Sequence, residues 1–314
     1  MKSYRFKVIA AVMIVLTICF SACRNTDDSA VVVNDTLVTF EDALGHKVTV
    51  DNPKRVAVCM GSFAEVWLLA GGELDCVTQD AYDEHLFKVP DTAINIGHMK
   101  SPSIEMMIGQ NIDFVILSSK ISEHVDMYDT LKSAGITAVY FNVDTFGNYL
   151  AMLKACTDIT GRSDLYQRNG AEIQAEIDEA IKKSTGQKSP VVLYIRAFST
   201  GAKAKGSDSM TGAMLDDLGC INVADTDNSL LDNLSIEAII KADPDYIFVT
   251  SMGSDEDKAL QNLKSGIKSN PAWSELSAVK NDRYIVLPKS LYHYKPNAKW
   301  GEAYKELAEI LYGE

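Results

Sequence analysis

The chain has 314 residues, 46% of them hydrophobic, which is enough for two ordinary domains that each bury a core of their own. Its formal net charge is −13, with 43 Asp and Glu against 30 Lys and Arg. That balance argues against a general nucleic-acid binder, whose affinity comes mostly from neutralising phosphates, while a local basic patch for one small anionic ligand stays compatible with it.

The N-terminus reads as an address. Lys2, Arg5 and Lys7 precede an apolar run over residues 8–18, too short to span a bilayer as a helix. Phe20-Ser21-Ala22-Cys23 then resembles a bacterial lipobox, with Phe20 where an aliphatic residue is usual. The expectation is a lipoprotein signal peptide over residues 1–22, a lipidated Cys23, and a tether over residues 23–36 that lets the body stand off the membrane. Cys59, Cys76, Cys156 and Cys220 form no CxxC and no paired His/Cys spacing, and they sit in apolar strand or helix patterns. They read as buried small hydrophobes, and no metal site is expected.

The body opens with alternation over residues 37–50 around Gly45, a β-hairpin broken at Asn52-Pro53. A short apolar strand at residues 56–60 is followed by a helix over 63–70 that stops at Gly71-Gly72. Strands at 74–78, 93–97 and 136–142 alternate with helices, the rhythm of a parallel sheet covered by helices. Residues 146–160 form a helix ending at Gly161, and residues 164–184 carry Leu165, Ile173, Ile177 and Ile181 at helical spacing. At 1.5 Å per residue that helix reaches about 30 Å, long enough to connect two lobes. A second lobe restarts with a strand at 191–195, a Gly-, Ser- and Lys-rich loop over 196–211, a helix over 212–218, a strand at 283–287 and a closing helix over 300–311.

One stretch is written twice. Residues 103–119 (SIEMMIGQNIDFVILSS) and 235–251 (SIEAIIKADPDYIFVTS) align without a gap at an offset of 132. They share Ser103/Ser235, Ile104/Ile236, Glu105/Glu237, Ile108/Ile240, Asp113/Asp245 and Ser119/Ser251. Each copy reads as a helix opened by Ser and an early Glu, an acidic turn, then an apolar strand. Two copies this far apart predict two similar α/β lobes.

These residues resemble the substrate-binding lipoproteins of ABC importers for iron–siderophore, haem and cobalamin, the helical-backbone class III periplasmic binding proteins. Pro53-Lys54-Arg55-Val56, Ser62-Phe63-Ala64-Glu65 and Pro102-Ser103-Ile104-Glu105 with Asp113 carry the resemblance in the first half. Gly212-Ala213-Met214-Leu215, Ser235-Ile236-Glu237 with Asp243-Pro244-Asp245, and Trp273 before Ala278-Val279 carry it in the second. The resemblance implies an α/β protein with an N-terminal lobe (residues 37–162), one long spine helix (163–187) and a C-terminal lobe (188–314), with ligand in the cleft between them. It implies a monomer that is lipid-anchored outside the cytoplasm, holds no cofactor of its own, and delivers a ferric siderophore, haem or corrinoid to an ABC permease dimer and its ATPase. It also implies that Glu105 and Glu237, one per lobe, pair with arginines on the permease, although each also suits a helix N-terminus electrostatically.

Ligand is expected outside the carboxyl ends of the strands, where loops converge. The first lobe offers Met60, Ser62, His98 and Lys100 there, and the second offers Arg196, Lys203, Lys205, Tyr292, His293 and Tyr294. Arg196 directly follows its strand, so its guanidinium is placed to grip a carboxylate or phosphate. His98, His293, Tyr292, Tyr294 and Met60 include the types that haem iron accepts axially, and the aromatic ones suit stacking on a corrin or catecholate. An exported tetrapyrrole or metal-handling enzyme is the rival from another class. The sequence contains no G-x-S-x-G elbow, Walker loop or H-E-x-x-H pair for it, and no catalytic residue is assigned.

Overall fold

In a computed structural model, residues 37–84, 87–227, 229–232, 234–253 and 255–313 are described. The signal, lipobox and tether readings lie outside them. The opening hairpin pairs Leu37–Glu41 with Lys47–Asp51. Its turn is closed by the Asp42 carboxylate, which accepts the N–H groups of Leu44 and His46 at 2.9 Å each.

The first sheet is wholly parallel. In spatial order its strands are Ile94–Asn95, Cys76–Val77, Val56–Val58, Phe114–Ser118 and Thr137–Phe141. Phe114–Ser118 is buried along its whole length, as a continuous apolar run without polar alternation requires when helices cover both faces. The second sheet centres on Val191–Phe198, with Ile221–Asn222 parallel on one side and Tyr246–Ser251, then Tyr284–Val286, on the other.

The repeated stretch folds alike in both halves. Ser103 Oγ accepts the N–H of Met106, and Ser235 Oγ accepts that of Ala238, so both helices start on the same cap. Asn111 and Asp243, 132 residues apart, both turn the chain through a left-handed conformation (φ 55 and 40°). Asp113 then accepts the N–H of Lys54 and Arg55, and Asp245 accepts that of Val191, each stapling the start of its sheet's central strand. The two α/β lobes that the repeat predicts therefore share the same cap, left-handed turn and acidic staple at this element.

Between the sheets the chain is helical from Ser163–Tyr166 through one π-turn, Gln167–Ala171, to Glu172–Lys182. Ile173 and Ile177 on this helix belong to a single apolar core with Trp67, Phe114 and Tyr149 of the first lobe and Tyr194, Phe248 and Trp300 of the second. The helix is thus cemented to both lobes. The four body cysteines are buried free thiols.

One expectation needs correcting. Residues 196–211 are not all loop: the strand runs on to Phe198, turns, and returns as Gly201–Ala204, with Arg196 facing Lys203 across the hairpin. The polar composition of the returning strand hid its pairing. The helix that follows, Met210–Asp217, lies so close to this hairpin's exit that a Cβ on Gly212 would run into the Gly206 carbonyl, which is backbone and has no side-chain freedom to yield. Gly212→Ala is expected to cost about 1–3 kcal/mol in chemical denaturation. Gly109→Ala, where a Cβ meets nothing within 4 Å, is expected to be neutral or stabilising.

Candidate functional site

In each sheet the crossovers leave the central strand in opposite directions, and the crevice at such a reversal is where open α/β sheets bind ligands. In the first lobe this point lies between Val56–Val58 and Phe114–Ser118, so Met60, Gly61, Ser62, Ser119 and Lys120 stand at its mouth. In the second it lies between Val191–Phe198 and Tyr246–Ser251, where Arg196 and Gly253 stand.

The two mouths meet through charge. Lys295 of the second lobe donates to Asp144 Oδ1 of the first at 3.2 Å, and Lys120 approaches the other oxygen at 3.8 Å. The Lys295 side chain is only 18% exposed. Burial lowers its pKa, Asp144 opposes that, and the neighbouring charges of Arg196 and Lys120 add to the lowering. Burial acts to raise the Asp144 carboxyl, but Lys295 and Lys120, with hydrogen bonds from Lys295 and Asn142, hold it below its ordinary value.

His293 sits in the same neighbourhood. Burial, then the charges of Arg196, Lys289 and Lys295, push its pKa down to about 4, so the ring is neutral at pH 7. Its Nδ1 and the Nε of Arg196 are both buried and have no hydrogen-bond partner among the described residues. A buried guanidinium N–H without an acceptor is costly, and an anion delivered between the lobes would relieve that cost. The rings of His293 and Tyr294 lie 5.3 Å apart, and the Lys289 ammonium stands 5.3 Å over the Tyr294 ring.

An acidic wall belongs to the first lobe. Asp80 Oδ2 accepts the Gly61 N–H at 2.6 Å, while its Oδ1 is buried without a partner among the described residues. Glu84 is pushed up to about 7 by burial, then by Asp80, with Lys289 pulling the other way and Asp83 adding to the rise. Deeper between the lobes, Asn297 donates to the Ser62 carbonyl at 2.8 Å and to Glu65 Oε2 at 2.6 Å. The Ser62 hydroxyl is buried there and also lacks a partner among the described residues.

Arg196 and His293 are brought together, with Tyr294 beside them. Lys203 faces Arg196 across the hairpin, with its side chain exposed, and Lys205 is half-buried just beyond the hairpin. His98 and Lys100 occupy an exposed turn in which the Lys100 N–H donates to His98 Nδ1 at 3.1 Å; no contact among the described residues joins them to the Arg196 cluster. Tyr292 is a correction: it is fully buried, and its hydroxyl hydrogen-bonds the Ala303 carbonyl at 2.9 Å, so the turn of Lys289–Tyr292 points it into the core and away from ligand. Asp144, Lys289, Glu65, Glu84 and Asn297 were not singled out from sequence. Among the described residues no group of three or more His, Cys, Asp or Glu converges as a metal site, and no helix is long and apolar enough to cross a membrane.

Glu65 yields a test of this geometry. Burial raises its carboxyl from 4.5 to about 7, against the lowering effects of the Asn297 hydrogen bond and Lys299. The folded state then holds a proton that the unfolded state has released between about pH 4.5 and 7, so stability from this group is present at low pH and is lost as pH rises through 7. Glu65→Gln, which keeps an acceptor for Asn297, is expected to stabilise the protein by roughly 2 kcal/mol at pH 8 and by nothing at pH 4, read from urea denaturation at both pH values.

A family model described as periplasmic binding protein matches residues 56–291. The Fe(3+)-citrate-binding protein YfmC of Bacillus subtilis is 22% identical over 290 residues, covering 90% of this chain and 89% of its own. The petrobactin-binding protein YclQ of the same organism is 26% identical over 312 residues, covering 93% of each chain. Among solved structures, the periplasmic catecholate-siderophore binding protein VctP from Vibrio cholerae superposes with a TM-score of 0.69 at 19% identity, covering 88% of this chain and 99% of its own.

Proposed function

Because the chain belongs to the periplasmic binding protein family, we propose that it captures a negatively charged ferric chelate between its lobes and delivers it to an ABC importer. It is a binding protein and performs no catalytic step. The observation that carries the choice of cargo is the half-buried cation cluster of Arg196, Lys289 and Lys295 around a neutral His293, on a chain whose net charge is −13. Such a cluster in an acidic protein selects a small anion by charge. The relatives named for Fe(3+)-citrate and petrobactin support a ferric chelate as that anion.

A haem or corrinoid cargo calls on His98, His293, Tyr294 or Met60 to ligate the metal. Three cations beside His293 disfavour the positive charge that its nitrogen would share with a metal it ligates, whereas they favour an anionic chelate that wraps its iron in carboxylates or catecholates. For the same reason Arg196, His293, Tyr294 and Lys295 are the side chains expected to touch cargo, with Met60, Ser62 and Lys120 facing them from the first lobe. Lipid anchoring through Cys23, in front of the lobes and outside the cytoplasm, belongs to the same reading, as does action as a monomer on a permease dimer.

Titrating the purified protein with ferric citrate and following tryptophan fluorescence tests the cargo. Arg196→Met and Lys295→Met are each expected to weaken binding about 10- to 100-fold, the worth of one or two charge-assisted hydrogen bonds. Unchanged affinity in both variants, or binding of haem but of no ferric chelate, would overturn the assignment. Glu105→Ala combined with Glu237→Ala is expected to abolish iron uptake in cells while leaving ferric citrate affinity intact; lost ligand binding would make both residues structural.

A further inference from the structure

We propose that Ile108 and Ile240 are paired apolar anchors, one per lobe, that seat the protein on the two membrane-spanning subunits of its importer. This rests on the reading of the chain as an importer's binding protein. The two isoleucines occupy the same position of the repeated stretch, 132 residues apart. Each lies three residues after the exposed Glu of its copy, on the same helix face. Exposure repeats as well: Met107 and Ile239 are fully buried, while Ile108 is 50% exposed and Ile240 39%. The helices are thus held in one register, and that register turns an isoleucine outward in both.

The fold does not ask for isoleucine at these places. An exposed helical position is better filled by Lys, Glu or Ala, because a β-branched side chain loses rotamer freedom against the preceding turn. Elsewhere on the aligned helix the position exposed in both copies differs, Gly109 against Lys241, and exposed Met106 stands opposite half-buried Ala238. Only Glu and Ile are the same in both and exposed in both. An acidic group beside an apolar knob, presented once per lobe, fits a two-fold partner offering two equal sockets, each an apolar pocket with a cation at its edge. Glu105 and Glu237 would then set orientation and approach, and the isoleucines would supply the desolvated centre of each contact.

The test uses the full chain in cells that carry its importer, with the photo-crosslinking residue p-benzoylphenylalanine replacing Ile108 or Ile240, and exposed Val286 as the control. Irradiation is expected to join both replaced positions, and not the control, to an integral membrane subunit of an ABC importer identified by mass spectrometry. Ile108→Ser with Ile240→Ser is expected to lower uptake of radioactive ferric citrate at least about tenfold while its affinity for the purified protein stays unchanged. Adducts at one position only, adducts with a second copy of this chain, or normal uptake by the double variant would overturn the anchors and leave the binding-protein reading standing. Absence of both ferric citrate binding and chain-dependent uptake would instead overturn that reading, and the anchors with it.

Discussion

Like charges stay clustered only where the surrounding fold holds them, and here the hold is the apolar core that runs unbroken from one sheet through the connecting helix to the other. Phe114 and Trp67 on one side and Tyr194, Phe248 and Trp300 on the other pack into the same core as Ile173 and Ile177 of that helix. Parting the lobes would expose this surface to water, at about 25 cal/mol for each Å² uncovered. The lobes therefore behave as one body, and the cleft between them is shaped before cargo arrives. Lys295 can then lie half-buried against Asp144 with Arg196 and Lys120 nearby, a placement that two freely hinged domains would relax.

A cation cluster held in place by the fold would have consequences for binding. Ligand need not drive a large closure, so little of its binding energy is diverted into ordering the protein. Asp144 accepts from Lys295, which tempers the repulsion among the cations and marks Lys295 as the group whose partner an incoming anion would replace. The Nε of Arg196 and Nδ1 of His293, without a partner among the described residues, are placed to take one from an incoming ligand. Selection by charge in a mostly acidic chain also speeds the encounter with anions and becomes weaker as salt rises.

The fold was legible because it is local. Apolar runs, glycine stops and the doubled Ser-Ile-Glu element are patterns within one segment, and each leads directly to a strand, a helix end or a matched lobe. The candidate site was legible at Arg196, which the apolar run places near the carboxyl end of its strand, and at the conspicuous cluster that holds His293 and Tyr294. It was not legible where a contact spans the chain: Lys295 and Asp144 are 151 residues apart, and Asn297 and Glu65 are 232 apart. Tyr292 shows the opposite failure. A one-turn helix separates its direction from that of His293, and nothing in a Tyr-His-Tyr triplet tells which side faces the core.

Where the iron sits decides between these readings. The most direct measurement is a crystal structure of the protein grown with ferric citrate, with iron located by its anomalous scattering. The expectation is iron between the lobes, a chelate oxygen within hydrogen-bond distance of Arg196, and Lys295 turned from Asp144 toward the chelate. Iron bound directly to a protein side chain, or a chelate lodged at the exposed His98 turn with the Arg196 cluster untouched, would contradict it.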